Sequence, residues 1–238
     1  MLKEKTQFLF EIRQIPLFAE AVCGLAAFSQ LERRLARLQE AVYRLDLFGE
    51  SRWLISSAEL TCVWEPIFSA LAEEFGISRE EANAICRPIV GYQEVELGLR
   101  TGRSALTIPI DRHYHLKKCD VEIQRTLVVR HAGIMPSKVV LARWQLFDVL
   151  SEIADDIDDI QEDTHTFNCN RLLTSCVENG ASVTKKAYAV AVDALAKDFM
   201  MAGRIVDPLC RLFHSEVERI RQLLRCLDEA ELRMPRAG

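Results

Sequence analysis

Residues 152–165, EIADDIDDIQEDTH, place seven carboxylates in fourteen positions. No lysine or arginine stands between Arg143 and Arg171. Carboxylate oxygens are the ligands that hard divalent cations prefer, and Mg²⁺ held in this way keeps several waters and is commonly shared with substrate phosphates. The stretch therefore predicts a site that binds a divalent cation together with a phosphorylated substrate.

A helix predicted from Ser137 to about Asp163 carries this stretch. Its acidic positions recur at helical spacing and form one stripe: Asp148, Glu152, Asp155 or Asp156, Asp159 and Asp163. Like charges four residues apart cost about 0.2–0.5 kcal/mol each, and anions at the C-terminal pole of a helix are disfavoured by about 0.3–1 kcal/mol. Because a solvated face usually mixes signs, a binding role is favoured over a merely solvated acidic face.

Two familiar metal sites do not fit the acidic stretch. An EF-hand loop needs a glycine at its sixth position, and DDIDDIQEDTHT contains none. A di-iron site in a helical bundle needs two Glu-x-x-His pairs, and the stretch offers one, Glu162 to His165. Diphosphate chemistry is the remaining interpretation.

The segment ADDIDD resembles the second aspartate-rich motif of the class I isoprenoid synthases, read as DDxxD over Asp155, Asp156 and Asp159. The resemblance spans roughly residues 30–175 and is similar to the small bacterial type of this superfamily. The family's first motif helix corresponds in position to the segment YRLDLFGESRWLISSAELTCVWEPIFSAL. The helix and basic turn that follow in the family resemble the segment PIVGYQEVELGLRTGRSA. The first motif departs from the family, because DLFGE offers only Asp46 and Glu50.

The resemblance implies an enzyme that uses Mg²⁺ to ionise an allylic prenyl diphosphate. The implied metal ligands are Asp46, Glu50, Asp155, Asp156, Asp159 and Asp163. Among them Asp46, Asp155 and Asp159 are the implied catalytic residues. Asp46 is expected to be the principal ligand of its side and Glu50 an auxiliary one, because the two can reach a shared ion only if the helix continues through Gly49, where glycine weakens it. The implied diphosphate-binding residues are Arg100, Arg103, Arg125, Arg130 and Arg171.

Three functions remain open at this point. DDxxD in the second motif is typical of prenyl transfer to an acceptor, whereas terpene cyclases more often have an Asn/Ser/Glu version there. A non-catalytic helical interaction protein would need only the fold. Prenyl transfer is the first expectation, with a prenyl diphosphate as substrate and a homodimer left open.

Composition and periodicity predict an all-α chain forming one isoprenoid synthase-like domain over residues 1–238. Apolar residues recur at three- and four-residue intervals, which predicts a compact bundle of about eight or more helices. The formal net charge of −5 gives no whole-chain case for nucleic-acid binding. Charges interrupt the apolar N-terminal residues, so we expect neither a signal peptide nor an integral membrane segment, and a cytoplasmic location.

Start and stop residues divide the chain into helices. The SREE box at Ser78 predicts a helix that reaches about Arg100, and Pro109 predicts one that ends near Gly133. Shorter helices are expected from Arg171 to Glu178 and from Thr184 to Arg204, after a THTFNCN loop. Asp207 followed by proline predicts the start of the last helix.

Overall fold

The structure is a computed structural model that describes residues 2–25, 28–165, 169–203 and 207–227. These residues form twelve α-helices and two short 3-10 helices, and none of them lies in a β-strand. The predicted all-α class is confirmed. The likeness to the isoprenoid synthase fold and the single domain stay predictions.

The chain divides into two compact units. The first unit is Met1–Glu94 with Cys119–Ser137, and the second is Val95–Lys118 with Lys138–Gly238. The first unit holds α1 (Leu2–Ile12), α2 (Ile15–Cys23), α3 (Ser29–Glu50), α4 (Ser57–Phe75), α5 (Arg79–Ile85) and α8 (Cys119–Ala132). The second holds α7 (Ile110–Lys117), α9 (Lys138–Asp158), α10 (Arg171–Asn179), α11 (Ala181–Ala202) and α12 (Pro208–Cys226), while α6 (Arg87–Leu99) begins in the first unit and ends in the second.

The first unit is built around α3. Its apolar residues at three- and four-residue spacing are buried, as an amphipathic helix requires: Leu31, Leu35, Leu38, Val42 and Leu45. This face packs against α1, α4 and α8.

The second unit is built around α9, which packs against α7, α10, α11 and α12. Every residue of α9 from Phe147 to Ala154 is buried, so this stretch of the helix contacts protein on all sides. A partly buried ion pair links its first half to the start of α12, because Arg143 contacts Asp207 with a nitrogen–oxygen distance of 2.6 Å. The same guanidinium lies over the ring of Phe199, which stacks on Phe213.

Two predicted helices are each divided in the structure. The helix expected from Ser78 to Arg100 ends at Ile85 and restarts at Arg87. Pro88 explains the break, because it has no N–H to continue the hydrogen-bond ladder. The helix expected from Pro109 to Gly133 is interrupted at Lys118, whose ψ of 14° lies outside the helical region.

The helix that carries the acidic stretch is shorter than predicted. It ends at Asp158, and a 3-10 helix follows at Glu162–His165. Aspartate is a mediocre helix former, and several aspartates at the negative pole of a helix oppose its extension. The prediction of a helix to Asp163 was therefore wrong by about one turn.

Other boundaries agree with the sequence. The side chain of Ser78 accepts a hydrogen bond from the Glu81 amide and caps α5, and that of Asp207 caps α12. The THTFNCN loop and the predicted end at Arg204 fall partly outside the described residues. Among the described helices, none is both long enough and apolar enough to cross a bilayer.

Candidate functional site

Three carboxylates follow one another at one-turn spacing where α9 ends. Asp155 lies in the last turn of the helix, Asp159 follows it, and Asp163 lies in the 3-10 helix. The Asp159 amide donates to the Asp155 carbonyl at 2.8 Å, and the Asp163 amide donates to the Asp159 carbonyl at 2.9 Å. The backbone thus continues to turn after the helix ends and keeps the three side chains in sequence along one edge.

Asp156 forms the centre of a buried network behind this edge. Its side chain is completely buried. The Tyr114 hydroxyl donates to its Oδ2 at 2.6 Å, and the Arg171 amide donates to the same oxygen at 3.0 Å. Lys117 Nζ pairs with the other oxygen, Oδ1. Both oxygens of Asp156 are therefore engaged by protein donors, so its carboxylate is held as part of the second unit's interior.

Lys117 is the cation that the sequence stretch itself lacks, and it comes from α7. Burial alone would lower the pKa of Lys117, but the carboxylates of Asp156, Glu152 and Asp155 outweigh that effect and raise the pKa. The ammonium therefore stays charged at neutral pH. This charge interacts with three carboxylates of α9, those of Asp156, Glu152 and Asp155.

Asn170 connects the network to the acidic edge. Its side-chain amide donates to the Asp156 carbonyl at 2.7 Å and to Asp163 Oδ2 at 2.8 Å. Its Oδ1 accepts from the Leu173 amide and so caps α10. One side chain thus fixes the start of α10 and the orientation of the buried Asp163 carboxylate.

Two tyrosines and a histidine complete the buried side of the network. The hydroxyls of Tyr114 and Tyr188 lie 3.0 Å apart, and burial followed by the charge of Asp156 raises the pKa of both. His113 is buried, and its burial lowers the pKa to about 4. All three side chains are therefore neutral near pH 7.

Asp159 has the clearest electrostatic signature at the edge. Neighbouring protein atoms partly desolvate its carboxyl although the residue is exposed, and the carboxylates of Asp155 and Asp163 repel its charge. These causes raise the pKa of Asp159 to about 6. A bound cation would relieve this repulsion, and an oxygen-only donor set suits Mg²⁺.

The raised pKa predicts a pH-dependent effect of Asp159→Asn on stability. The folded state binds the Asp159 proton more tightly than the unfolded chain, so this group's stabilising contribution is complete below about pH 4 and is lost as pH rises through about 6. We expect the difference in unfolding free energy between variant and wild type to grow in the variant's favour from pH 4 to pH 7. Urea titrations across this range measure it, and a difference independent of pH would contradict the prediction.

Asp158 belongs to a different surface. Its carboxylate pairs with Arg219 of α12 at 2.8 Å, and Arg219 also pairs with Glu216. Asp158 stands next to Asp159 in sequence yet has its own cation from another helix. It therefore serves as a control position for the acidic edge.

The remaining predicted metal ligands lie in the first unit. The helix α3 continues through Gly49 to Glu50, which is the condition under which Asp46 and Glu50 can reach a shared ion. Asp46 is exposed and Glu50 half-buried, one helical turn apart. Their role as metal ligands stays a prediction.

The five predicted diphosphate-binding arginines are divided between the units. Arg100, Arg103 and Arg171 belong to the second unit, where Arg171 is buried and its guanidinium donates to the Ile108 carbonyl at 3.0 Å. Arg125 and Arg130 belong to the first unit.

Arg125 and Arg130 already have protein partners within the first unit. Arg125 is buried, donates to the Arg13 carbonyl at 2.8 Å and lies over the ring of Phe18. Arg130 is exposed and pairs with Glu81 of α5. Both arginines thus contact other residues of the first unit, and their role in diphosphate binding stays a prediction.

Sequence reasoning missed most of the buried network. Tyr114 and Lys117 both stand in the segment DRHYHLKK, and the two residues are three apart, on the same face of α7. This pair of residues was the available signal for partners of the acidic stretch, which has no lysine or arginine of its own. Asn170, directly before the predicted helix at Arg171, was a second one, because asparagine is a preferred cap.

No family model, curated protein or solved structure matches the chain. Among the described residues, no three His, Cys, Asp or Glu side chains form a complete metal-binding group. The predicted Mg²⁺ stays a prediction.

Proposed function

We propose that the chain is an enzyme that ionises an allylic prenyl diphosphate with Mg²⁺ and transfers the prenyl group to an acceptor. The observation that carries the proposal is that Asp155, Asp159 and Asp163 follow one another at one-turn spacing. At this edge desolvation, followed by the repulsion from Asp155 and Asp163, raises the pKa of Asp159 to about 6. The DDxxD pattern is the sequence feature that agrees with it. A bound cation would relieve the repulsion among these carboxylates, which lie beside the buried network of Asp156.

The donor chemistry fits Mg²⁺. Asp155, Asp159 and Asp163 of the second unit would hold the metal. Bound Mg²⁺ would neutralise the charge that develops on the diphosphate oxygens. Asp156 acts differently from the original metal-ligand prediction, because we propose that it positions the edge rather than binding the ion.

The chain's own residues supply three further effects. Asn170 and the hydrogen-bonded Asp156 fix the acidic edge, so little reorganisation is needed when charge develops. Arg100 and Arg103 are the arginines of the second unit that we propose for the diphosphate, since guanidinium groups bind phosphate oxygens in a bidentate way. The allylic carbon–oxygen bond breaks with its electron pair on the diphosphate, and an acceptor nucleophile then bonds to that carbon and loses a proton.

Melting experiments with inorganic diphosphate test the proposed site without the unknown acceptor. Mg²⁺ and diphosphate together should raise the melting temperature, because a ligand at one hundred times its Kd adds about 2.7 kcal/mol. For a chain of this size that corresponds to roughly 5–10 °C. Each component alone, and sulfate with Mg²⁺, should shift it much less.

A melting temperature indifferent to millimolar Mg²⁺ with diphosphate would contradict the site, and a non-catalytic interaction protein predicts that indifference. If the shift is observed, incubation with geranyl, farnesyl and geranylgeranyl diphosphates tests the reaction. Each should release diphosphate only with Mg²⁺ present. Cyclic products formed without any acceptor would identify a cyclase and overturn prenyl transfer.

A further inference from the structure

The helix α11 carries a second apolar stripe on its exposed side. Its buried face consists of residues that pack within the second unit: Ala181, Thr184, Tyr188, Val192, Leu195 and Phe199. A separate set of exposed residues recurs at alternating spacings of four and three: Val183, Ala187, Val190 and Ala194, with Met201 one heptad after Ala194. The exposed fractions of Val183, Val190 and Met201 are 56%, 69% and 74%.

This spacing is the 3.5-residue repeat of helices that pack in pairs. A solvated helix face has no physical reason to keep apolar residues at such a repeat, whereas two packed helices need one along their seam. The alternation of valine with alanine also permits close approach, because interaxial distance depends on the size of the side chains at the contact. Lys197 occupies the one polar position of the repeat.

The charges beside the stripe indicate what covers it. Arg221 of α12 bridges Asp193 and Glu218, so this group of three side chains carries a net charge of −1 at the surface. Lys186 lies two helical turns before Asp193, on the same side of the stripe. A single copy therefore presents an exposed cation and an exposed net negative group along one edge of the stripe.

We propose that α11 pairs antiparallel with α11 of a second copy of this chain. In this arrangement Val183 faces Ala194 of the other copy, and Ala187 faces Val190. Lys186 of each copy then lies beside the Asp193–Arg221–Glu218 group of the other copy. Its positive charge neutralises the net charge of −1 on that group. A parallel pair would instead bring Asp193 of one copy toward Asp198 of the other and would be repulsive.

The stripe is narrow, so the pair belongs with the smaller interfaces, below about 1,200 Å² of total buried surface. Such interfaces form weak and transient complexes. Association is therefore expected to depend on concentration over the micromolar range. The proposal is independent of the proposed function, since it uses no residue of the acidic edge.

Sedimentation equilibrium over a range of protein concentrations tests the pair. The average mass should rise from 27.1 kDa toward twice that value in the wild-type chain. Val190→Glu places two like charges at the centre of the seam and should weaken the dimer by roughly 100-fold or more, and Lys186→Glu by about tenfold. Val90→Glu, an exposed valine on α6, is the matched control and should behave as wild type.

Cross-linking establishes the orientation. A zero-length carbodiimide reagent on a mixture of ¹⁴N- and ¹⁵N-labelled chains should join Lys186 of one isotope to Asp193 or Glu218 of the other. Circular dichroism checks that each variant keeps its helices. A wild-type chain that stays monomeric at every concentration, association that Val190→Glu leaves unchanged, or inter-chain cross-links confined to other faces would each overturn the proposal.

Discussion

Asp156→Ala is expected to lower the free energy of unfolding by about 3–5 kcal/mol, the range found when one partner of a buried ion pair is removed. The Asp156 side chain is fully buried and pairs with Lys117, which is itself 85% covered. Its removal leaves an ammonium in the interior without its main counter-charge. The loss should lower the melting temperature by roughly 6–20 °C for a chain of this length.

The hydrogen bonds of Asp156 reinforce this expectation. The carboxylate accepts from the Tyr114 hydroxyl and from the amide of Arg171, at the positive end of α10. Alanine leaves both donors buried without their acceptor. The double variant Lys117→Met with Asp156→Leu should recover part of the stability, because it removes both charges and keeps the volume apolar.

Asp158→Ala is the matched control for this prediction. It removes a carboxylate two residues further along from an exposed pair with Arg219, and exposed pairs contribute about 0–1 kcal/mol. Urea denaturation of the two variants and the wild type measures the difference. Equal, small losses at both positions would show that the Asp156 network does not stabilise the fold.

Most helix positions follow from local signals in the sequence, because caps and breakers act within a few residues. Asp207 with Pro208 and the serine at position 78 mark helix starts that the structure confirms. The sequence also contains a signal for the start of α4. Ser56 and Glu59 form a reciprocal capping box at the beginning of α4.

Electrostatic partners do not follow from local signals, and this is where sequence reasoning failed. The absence of cations near the acidic stretch suggested carboxylates without protein partners. In the structure Lys117 of α7 pairs with Asp156, and Arg219 of α12 pairs with Asp158. Packing of helices distant in sequence decided which aspartates face the interior, so the pattern DDxxD could not distinguish the buried Asp156 from the exposed Asp159.

Asp159→Asn and Asp155→Asn are each expected to reduce the rate of diphosphate release by about 100-fold or more, and Asp159→Asn should leave the fold at least as stable as the wild type. Removing one preorganised electrostatic group from an active site typically lowers the rate by about 10²–10³-fold. Stability should not fall at position 159, because the raised pKa of Asp159 indicates that its negative charge is unfavourable in the folded state. Loss of function without loss of fold distinguishes a binding group from a structural one.

The experiment measures diphosphate release from a prenyl diphosphate together with the melting shift by Mg²⁺ and inorganic diphosphate. Both signals should disappear in the two variants. Asp158→Asn is the matched control on the same turn, and it should retain both signals because its carboxylate pairs with Arg219. A variant that loses turnover but keeps the full melting shift would place its aspartate in the reaction and outside diphosphate binding.

The converse outcomes have separate meanings. If Asp159→Asn unfolds, the carboxylate is structural, and the repulsion from Asp155 and Asp163 has been misjudged. If both variants release diphosphate as fast as wild type, the acidic edge is not the site of ionisation. Because Asp155, Asp159 and the control Asp158 lie within five consecutive positions, a difference among them follows from which surface each carboxylate occupies and not from the acidity of the stretch as a whole.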